Sequence, residues 1–153
     1  MTNSSDSEMQ SCLPFKADIP ILFQHCDPAG IVFYPRYFEM LNQTVEEWFA
    51  LGLDYSFMEL VQKDGLGIPL VKTECEFLKA GRVGDLLCFS LRVLNLGRSS
   101  VSLRIDALRN GEDMLRAMLK LAFVDNRGEE MRSLEIPENL RRKMLCYKVC
   151  GDE

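Results

Sequence analysis

The stretch HCDPAGIVFYPRY, residues 25–37, decides how this chain folds. It places a carboxylate, Asp27, in a Pro-Ala-Gly turn and leads directly into a helix. Pro35 can open that helix, because the first helical residues leave their N–H groups unpaired in any case. The free N–H groups at a helix start carry positive partial charge and can bind a developing oxyanion. A carboxylate beside such a site is the minimum equipment for acyl-transfer chemistry.

Beyond this stretch, apolar and aromatic side chains recur at the spacing that marks one face of an amphipathic helix. They are Tyr37, Phe38, Leu41, Val45, Trp48 and Phe49. Polar residues take the other side, and Gly52 suits a C-terminal stop. The pattern predicts one long helix over 35–51, followed by a loop or short helical connection over 53–67.

From residue 68 onward the apolar period changes to two residues, which is typical of half-buried strands. Glycine-containing turns separate four such segments. With a first strand added, the predicted strands are 15–23, 68–79, 85–95, 99–109 and 113–124. The short turns predict an antiparallel meander. We therefore expect an α+β protein in which a curved antiparallel sheet of about five strands wraps around the long central helix.

The strand side chains opposite the core-facing row are partly apolar as well. They include Leu86, Leu94, Leu108, Met114, Met118, Ala122 and Val124. A second apolar face predicts that another subunit packs there. The 137–148 segment opens with Pro137 and is predicted to form a short basic helix.

The chain has 153 residues, which favours a single domain. We assign that domain to residues 13–148 and treat the polar residues 1–12 as a disordered leader without the layout of a secretory signal. No apolar run approaches the roughly 20 residues that cross a bilayer. These features predict a cytoplasmic protein with no membrane partner.

Charge and cysteine usage exclude several classes of function. Lys plus Arg total 18 and Asp plus Glu total 23, and this net charge of -5 argues against nucleic-acid binding. The six cysteines form no Cys-x-x-Cys pair, and His25 is the only histidine. The sequence therefore predicts no metal site and no disulfide framework. Cys75 and Cys88 are expected to be reduced core residues.

The order of strand, Asp-bearing turn, long helix and four strands is that of the hotdog fold, and 25–37 resembles the signature of the 4-hydroxybenzoyl-CoA thioesterase family. In that family Asp-x-x-Gly-x-Val-x-(Tyr/Phe)-x-x-Tyr leads into the central helix. The pattern is filled here by Asp27, Gly30, Val32, Tyr34 and Tyr37. The segment FLKAGRVGD, residues 77–85, looks like the family's strand-turn element ending in Gly-Asp, with Ala80-Gly81 replacing the Pro-Ala often found there.

The resemblance implies hydrolysis of an acyl-CoA thioester whose acyl group is aromatic or of short or medium length. Asp27 takes the position of the catalytic carboxylate, as nucleophile or as general base. The backbone N–H of Tyr34 takes the position that polarises the thioester carbonyl. No cofactor is implied, because coenzyme A enters as part of the substrate.

The resemblance also implies where the substrate lies. Gly30 lets the chain turn tightly and the substrate approach. The acyl pocket is expected to be lined by Ile68, Pro69 and Leu70. The coenzyme A phosphates are expected to contact Gly97, Arg98, Ser99 and Ser100. Lys79 and Arg82 would add positive charge. Such sites usually lie at a subunit interface, so we expect a dimer or tetramer in which the carboxylate and the phosphate contacts come from different chains.

Other interpretations stay open at this point. Asp27 could serve only as a turn former, His25 could be structural although it would share a strand face with Asp27, and Cys26 could serve only in packing. A different class of function is a non-catalytic acyl-CoA binding or sensing module. A dehydratase on the same fold is disfavoured because its chemistry generally needs a histidine paired with an acid on the helix or turn.

Overall fold

The central element of the fold is the helix α1 (Tyr34–Glu47). The structure, a computed structural model, describes residues 13–150, so the predicted leader lies outside the described residues. The helix begins at Tyr34, one residue earlier than predicted, so Pro35 is its second residue and not its first. The helix continues as a π-helical turn over Trp48–Gly52 and therefore ends at the predicted glycine.

The buried face of α1 is apolar apart from the hydroxyls of Tyr37 and Thr44. Its buried residues are Tyr37, Met40, Leu41, Thr44 and Val45. The Thr44 Oγ1 donates a hydrogen bond to the Met40 carbonyl at 2.9 Å, so this buried hydroxyl is paired. Trp48 and Phe49 extend the same face into the core. The amphipathic helix predicted from the spacing is confirmed.

The described strands are β1 (Phe15–Pro20), β2 (Leu66–Gly67), β3 (Leu70–Phe77), β4 (Leu86–Leu96), β5 (Ser100–Arg109), β6 (Glu112–Ala122), β7 (Val124–Asp125) and β8 (Arg132–Ser133). Five of them form one antiparallel sheet in the spatial order β1-β4-β5-β6-β3. The short strands β2, β7 and β8 form a second, small sheet. A second helix, α2 (Glu138–Leu145), packs against β4, which confirms the predicted C-terminal helix.

The predicted meander is correct for β4, β5 and β6 but wrong for β3. That strand pairs with β6 at one edge of the sheet, while β1 pairs with β4 at the other. The connection between β3 and β4, residues 78–85, is too long for a tight hairpin. It makes main-chain hydrogen bonds to other segments instead, such as those from the Leu78 N–H to the Met114 carbonyl and from the Val32 N–H to the Gly81 carbonyl, both at 2.9 Å.

The core lies between α1 and the inner face of the sheet. Alternate residues of β4 and β5 are fully buried there, including Leu87, Phe89, Leu91, Leu103 and Ile105. This alternation is the period-two pattern read from the sequence. It fixes which face of each strand packs on the helix, because a shift of one residue would turn the whole apolar row to the other face.

The outer face of the sheet carries both apolar and charged side chains. Met114 and Val124 are buried and do not contribute to it. Its centre carries an ion-pair network in which Asp106 accepts from Arg104 at 3.0 Å and from Arg116 at 3.1 Å. The partly apolar outer face is found at Leu86, Leu94, Leu108, Met118 and Ala122. The prediction is wrong for Val124, which is buried, and for Met114, which a register irregularity in β6 turns inward. The packing of another subunit on this face stays a prediction.

Cysteine positions match the prediction in part. Cys75 is a free thiol packed against the core, as predicted, whereas Cys88 is free but lies on the opposite face of the sheet from the buried row. Cys26 and Cys146 are also free thiols, and Cys150 is in a disulfide bond. The disulfide of Cys150 was not predicted from the sequence.

We predict that Tyr37→Phe destabilises the protein. The buried Tyr37 hydroxyl accepts a hydrogen bond from the buried Gly81 N–H at 3.1 Å, and burial raises the pKa of Tyr37, so the group stays neutral. Removing the hydroxyl leaves the N–H unpaired and should lower the free energy of unfolding by about 1–3 kcal/mol. Urea denaturation measures the change. Tyr34→Phe is the matched control because that side chain is 61% exposed, and equal losses in both variants would contradict the assignment.

Candidate active site

Asp27 lies at the tip of a short hairpin that precedes α1. The Gly30 N–H donates to the Asp27 carbonyl at 2.9 Å, and the Asp27 N–H donates to the Ile31 carbonyl at 3.0 Å. The side-chain Oδ1 accepts the Ala29 N–H at 2.9 Å. Pro28 suits the second position of such a turn, and Gly30 has a φ of +79°, a conformation that favours glycine. The sequence therefore forms this turn locally.

One oxygen of the Asp27 carboxylate holds the turn, and the other is available for chemistry. Among the described residues, Oδ2 has no hydrogen-bond partner, whereas Oδ1 is used by Ala29. The side chain is half-buried. Asp27 is thus a turn former, as the simpler interpretation proposed, and it still presents a free carboxylate oxygen.

His25 has a structural contact beside this turn. Its Nδ1 accepts the Leu22 N–H at 2.8 Å and closes a short 3-10 turn over Phe23–His25. The His25 carbonyl accepts the Phe33 N–H at 2.9 Å. The Cys26 thiol is half-buried and donates to the Leu22 carbonyl at 3.7 Å. These contacts support the structural interpretation of both residues.

The start of α1 leaves a main-chain donor free. Phe33 occupies the N-cap position without a side-chain hydrogen bond, and Pro35 has no N–H to offer. Within the described residues, the Tyr34 N–H has no hydrogen-bond partner. Because the hairpin pairs Cys26 with Val32, this donor and the Asp27 carboxylate belong to neighbouring, hydrogen-bonded segments. The two predicted catalytic groups therefore lie on consecutive segments of one hairpin and helix start.

A cavity of about 260 Å³ opens beside the helix start. Its walls are mostly apolar and include Ile31, Val32, Tyr34, Phe77 and Leu78. The Tyr34 and Phe77 rings meet edge to face with centroids 6.4 Å apart. Lys79 also lines the cavity and forms an ion pair with Glu112. An aromatic-walled cavity next to a free N–H donor can hold the acyl part of a thioester.

Asp85 is the last residue of the 77–85 segment, and the sequence predicted no role for it. Its Oδ2 accepts the Arg82 N–H at 3.0 Å and the Arg109 Nη1 at 2.9 Å. Its main-chain carbonyl accepts the Ile21 N–H at 2.8 Å. Asp85 thus fixes the 82–85 turn, and Ile31 pairs with Arg82 of the same turn. The Gly84-Asp85 sequence was the signal that could have revealed this anchoring role.

The predicted acyl-pocket residues lie elsewhere within the chain. Ile68 and Leu70 line a smaller cavity of about 120 Å³ against the Leu41 and Val45 side of α1. The Pro69 carbonyl accepts the Ala122 N–H at 3.0 Å. Leu70 and the Phe77 ring near Tyr34 stand at opposite ends of β3, about 23 Å apart at 3.3 Å per residue.

The predicted phosphate contacts are also distant from Asp27 within one chain. Residues 97–100 form the turn between β4 and β5, and the Gly97 N–H donates to the Ser100 carbonyl at 2.8 Å. The Arg98 side chain is 81% exposed and lies 3.6 Å from Glu135. The Asp27 hairpin adjoins the beginning of β4, whereas this turn follows its end, about 33 Å away along an extended strand.

Two classes of site have no support in the described structure. Across residues 13–150, no cluster of three or more His, Cys, Asp or Glu side chains could hold a metal ion. In the same range, no helix has the length and apolar character needed to span a membrane.

Comparisons with known proteins agree on one family. The family model of the Thioesterase-like superfamily matches residues 21–144. The chain is 30% identical over 123 residues to the 4-hydroxybenzoyl-CoA thioesterase of Pseudomonas sp. (strain CBS-3), an alignment that covers 76% of this chain and 87% of that one. The solved structure of that thioesterase has a TM-score of 0.79 at 26% identity, over 86% of this chain and 99% of its own.

A more distant structure shares the fold. The 1,4-dihydroxy-2-naphthoyl-CoA thioesterase from Synechocystis has a TM-score of 0.77 at 16% identity, over 86% of this chain and 98% of its own. The architecture is thus the hotdog fold, as the sequence predicted. The chain belongs to the Thioesterase-like superfamily, and its activity is that of an acyl-CoA thioesterase.

We predict that Asp85→Asn lowers stability in a pH-dependent way. The Arg82 N–H, followed by Arg109, lowers the pKa of Asp85 below its ordinary value of 3.8. A depressed folded-state pKa stabilises the fold above the unfolded pKa, and this contribution disappears as the pH falls through the folded pKa. Urea titrations should therefore show the variant less stable at neutral pH.

The difference from wild type should shrink steadily once the pH falls below 3.8. Asp113→Asn is the control, since Asp113 is exposed on β6. A stability difference that stays constant down to strongly acidic pH would contradict the anchoring role of the Asp85 charge.

Proposed function

We propose that the protein hydrolyses an acyl-CoA thioester with Asp27 as nucleophile or general base and the Tyr34 N–H as the donor that polarises the carbonyl. The observation that carries this proposal is the pairing of a carboxylate with one free oxygen and an unpartnered helix-start N–H in adjoining segments. A preorganised main-chain donor at a helix start adds the helix dipole to a hydrogen bond. Such donors typically contribute about 100–1,000-fold in rate.

Both chemical routes use the same two groups. As a general base, Asp27 takes a proton from water while the water oxygen bonds to the thioester carbon. As a nucleophile, it forms a mixed anhydride that water then hydrolyses. In either route the carbonyl oxygen gains negative charge facing the Tyr34 N–H, the C–S bond breaks, and the departing coenzyme A thiolate takes up a proton. The reaction needs no metal and no cofactor.

The proposed acyl group is aromatic, with short or medium chains as the alternative. The support from this chain is the group of rings at the helix start, where Phe77 lies 5.6 Å from Tyr37 and 6.5 Å from Phe38 between ring centroids. The support from relatives is the 4-hydroxybenzoyl-CoA thioesterase, of which a mutant was crystallised with 4-hydroxybenzoyl CoA. Gly30 would let the substrate approach Asp27, because no atom lies within 4 Å of the space beside it.

We further propose that the phosphates of coenzyme A bind at the 97–100 turn. The Arg98 guanidinium is largely exposed and can form bidentate contacts with phosphate. Ser99 and Ser100 add hydroxyl donors. Glycine at position 97 lets the turn close tightly on Ser100, since a Cβ there would lie 2.9 Å from the Ser100 Oγ.

A complete site then requires a second copy of the chain. β3 is an edge strand of the sheet, and its apolar side chains are exposed at Leu70, Val71 and Phe77. Such an edge is a template for pairing. Antiparallel pairing of two β3 strands about a two-fold axis sets the Leu70 end of one copy beside the Phe77 end of the other.

This pairing explains why the predicted site residues are separated within one chain. Two hydrogen bonds place these segments at the C-terminal end of β6. The Ala122 N–H donates to the Pro69 carbonyl of the 68–70 segment, and the Phe123 N–H donates to the Ser99 carbonyl of the 97–100 turn. In the dimer, both segments of the second copy would lie beside the Asp27 hairpin of the first copy. A dimer therefore unites the catalytic groups with the acyl and phosphate contacts, and a tetramer would repeat that unit. The cytoplasmic location stays a prediction from the sequence.

We predict that Asp27→Asn lowers kcat for acyl-CoA hydrolysis by about 100–10,000-fold, the range for a lost general base. Asparagine keeps an oxygen for the Ala29 N–H, so the turn should persist. Thiol release from benzoyl-, hydroxybenzoyl-, phenylacetyl- and straight-chain CoA esters measures the rate. Asp18→Asn, on β1, is the control. Wild-type binding without turnover of any ester would overturn the proposal in favour of an acyl-CoA binding module.

We predict that two inactive variants restore activity when they are mixed. Asp27→Asn damages the carboxylate, and Arg98→Glu damages the phosphate turn. If these groups come from different copies, a mixed dimer holds one site with both lesions and one intact site. Unfolding and refolding an equal mixture should recover about a quarter of wild-type activity at low substrate concentration, since half the dimers are mixed. Activity no higher than the mean of the two variants would place both groups of a site on one chain.

A further inference from the structure

One arginine ties the turn between β4 and β5 to the C-terminal helix. The Nη2 of Arg141 donates to the Gly97 carbonyl at 2.8 Å and to the Arg98 carbonyl at 3.2 Å. Arg141 belongs to α2 and is half-buried, and it lies 44 residues from Gly97 in the sequence. It is therefore placed against the carbonyl side of the turn.

Main-chain N–H groups outside the turn also bind its carbonyls. The Arg98 carbonyl accepts the Ile136 N–H at 2.9 Å, and the Ser99 carbonyl accepts the Phe123 N–H at 2.7 Å. In a planar trans peptide, the carbonyl of one residue and the N–H of the next point in opposite directions. Fixing the carbonyls of Gly97 and Arg98 inward therefore turns the N–H groups of Arg98 and Ser99 outward.

These two N–H groups are unoccupied. Within the described residues, neither the Arg98 N–H nor the Ser99 N–H has a hydrogen-bond partner. Successive outward N–H groups form a concave anion site. The exposed Arg98 guanidinium is attached to the same segment. The turn thus offers two fixed main-chain donors and one exposed cation to a phosphate.

We propose that Arg141 is a positioning residue that orients the 97–100 turn for the phosphates of coenzyme A. This inference rests on the proposed function. Arg141 acts through the Gly97 and Arg98 carbonyls, so it holds two amide donors in place without touching the ligand. Its positive charge, attached to the carbonyl side of the same peptides, also polarises those amides toward an anion.

The test compares substrates that share an acyl group and differ in the phosphates. Benzoyl-CoA carries the nucleotide phosphates, and benzoyl-pantetheine lacks them. For Arg141→Ala, the KM for benzoyl-CoA should rise roughly tenfold with kcat retained, because the Arg98 and Ser99 N–H groups are no longer held toward the charged phosphates. The KM for benzoyl-pantetheine should stay near that of wild type. Arg141→Lys, which keeps the charge and part of the donor capacity, should fall between wild type and alanine.

Arg142→Ala is the matched control. Arg142 is the next residue of the same helix, is exposed, and lies 4.0 Å from Glu138. It removes the same charge from α2 without removing a contact to the turn. Its KM for both thioesters should match wild type. Thermal unfolding of the two alanine variants shows how much of any effect comes from general stability.

Two outcomes would overturn the positioning role. If Arg141→Ala lowers the melting temperature and leaves the ratio of the two KM values unchanged, Arg141 only stabilises the fold. If wild type does not distinguish benzoyl-CoA from benzoyl-pantetheine, the turn does not bind phosphate.

Failure of the proposed hydrolysis is a separate result. If wild type turns over neither thioester, calorimetric titration with free coenzyme A still compares wild type, Arg141→Ala and Arg142→Ala. Weaker binding confined to Arg141→Ala supports the role, and equal binding by all three proteins overturns it.

Discussion

Gly81 holds the start of the central helix in place through both of its main-chain polar groups. Its N–H donates to the Tyr37 hydroxyl at 3.1 Å, and its carbonyl accepts the Val32 N–H at 2.9 Å. A Cβ at this position would lie 2.6 Å from the Ile21 Cδ1 and 2.7 Å from the Tyr37 Oη. The departure from Pro-Ala at Ala80-Gly81 thus has a packing reason in this chain. Because contacts from a neighbouring segment fix the helix start, α1 begins without a side-chain cap, and the Tyr34 N–H has no hydrogen-bond partner among the described residues.

Local sequence patterns predicted most of the fold. The spacing of apolar residues located α1, and strict alternation located β4, β5 and β6 to within a few residues. Strand order was harder to predict, because alternation shows which side chains of β3 face inward but not which strand pairs with β3. The 78–85 connection resembles a hairpin turn in sequence. Its hydrogen bonds to Val32 and Met114 depend on segments far away in the chain, so β1 occupies the place beside β4 that the turn signal gave to β3.

The candidate site likewise has a part that depends on local sequence and a part that depends on contacts between distant residues. Asp27 and the Tyr34 N–H could be paired from sequence because seven residues and one tight turn join them. Asp85 and Arg141 could not be assigned, since their roles arise from contacts with Arg109 and Gly97, both distant in sequence. In the run Arg141-Arg142-Lys143, composition alone does not reveal which cation reaches the Gly97 carbonyl and which the Leu53 carbonyl. The separation of the 68–70 and 97–100 segments from Asp27 within one chain is a consequence of strand length, and the proposed dimer is what would bring them together.

Local donors, and not net charge, decide whether this acidic protein can bind a ligand rich in phosphate. The chain carries a net charge of -5, but at physiological ionic strength charges farther than about 8 Å apart are largely screened. The nearest competitor is Glu135, 3.6 Å from Arg98, and both side chains are mostly exposed. Exposed pairs of this kind contribute only about 0–1 kcal/mol, whereas a guanidinium can bind phosphate through two parallel hydrogen bonds. Arg98 can therefore exchange Glu135 for a phosphate at little cost, provided that the outward N–H groups of the turn are already in position. Preorganisation of the 97–100 turn, which makes no demand on overall charge, is the property that would let an acidic surface hold coenzyme A.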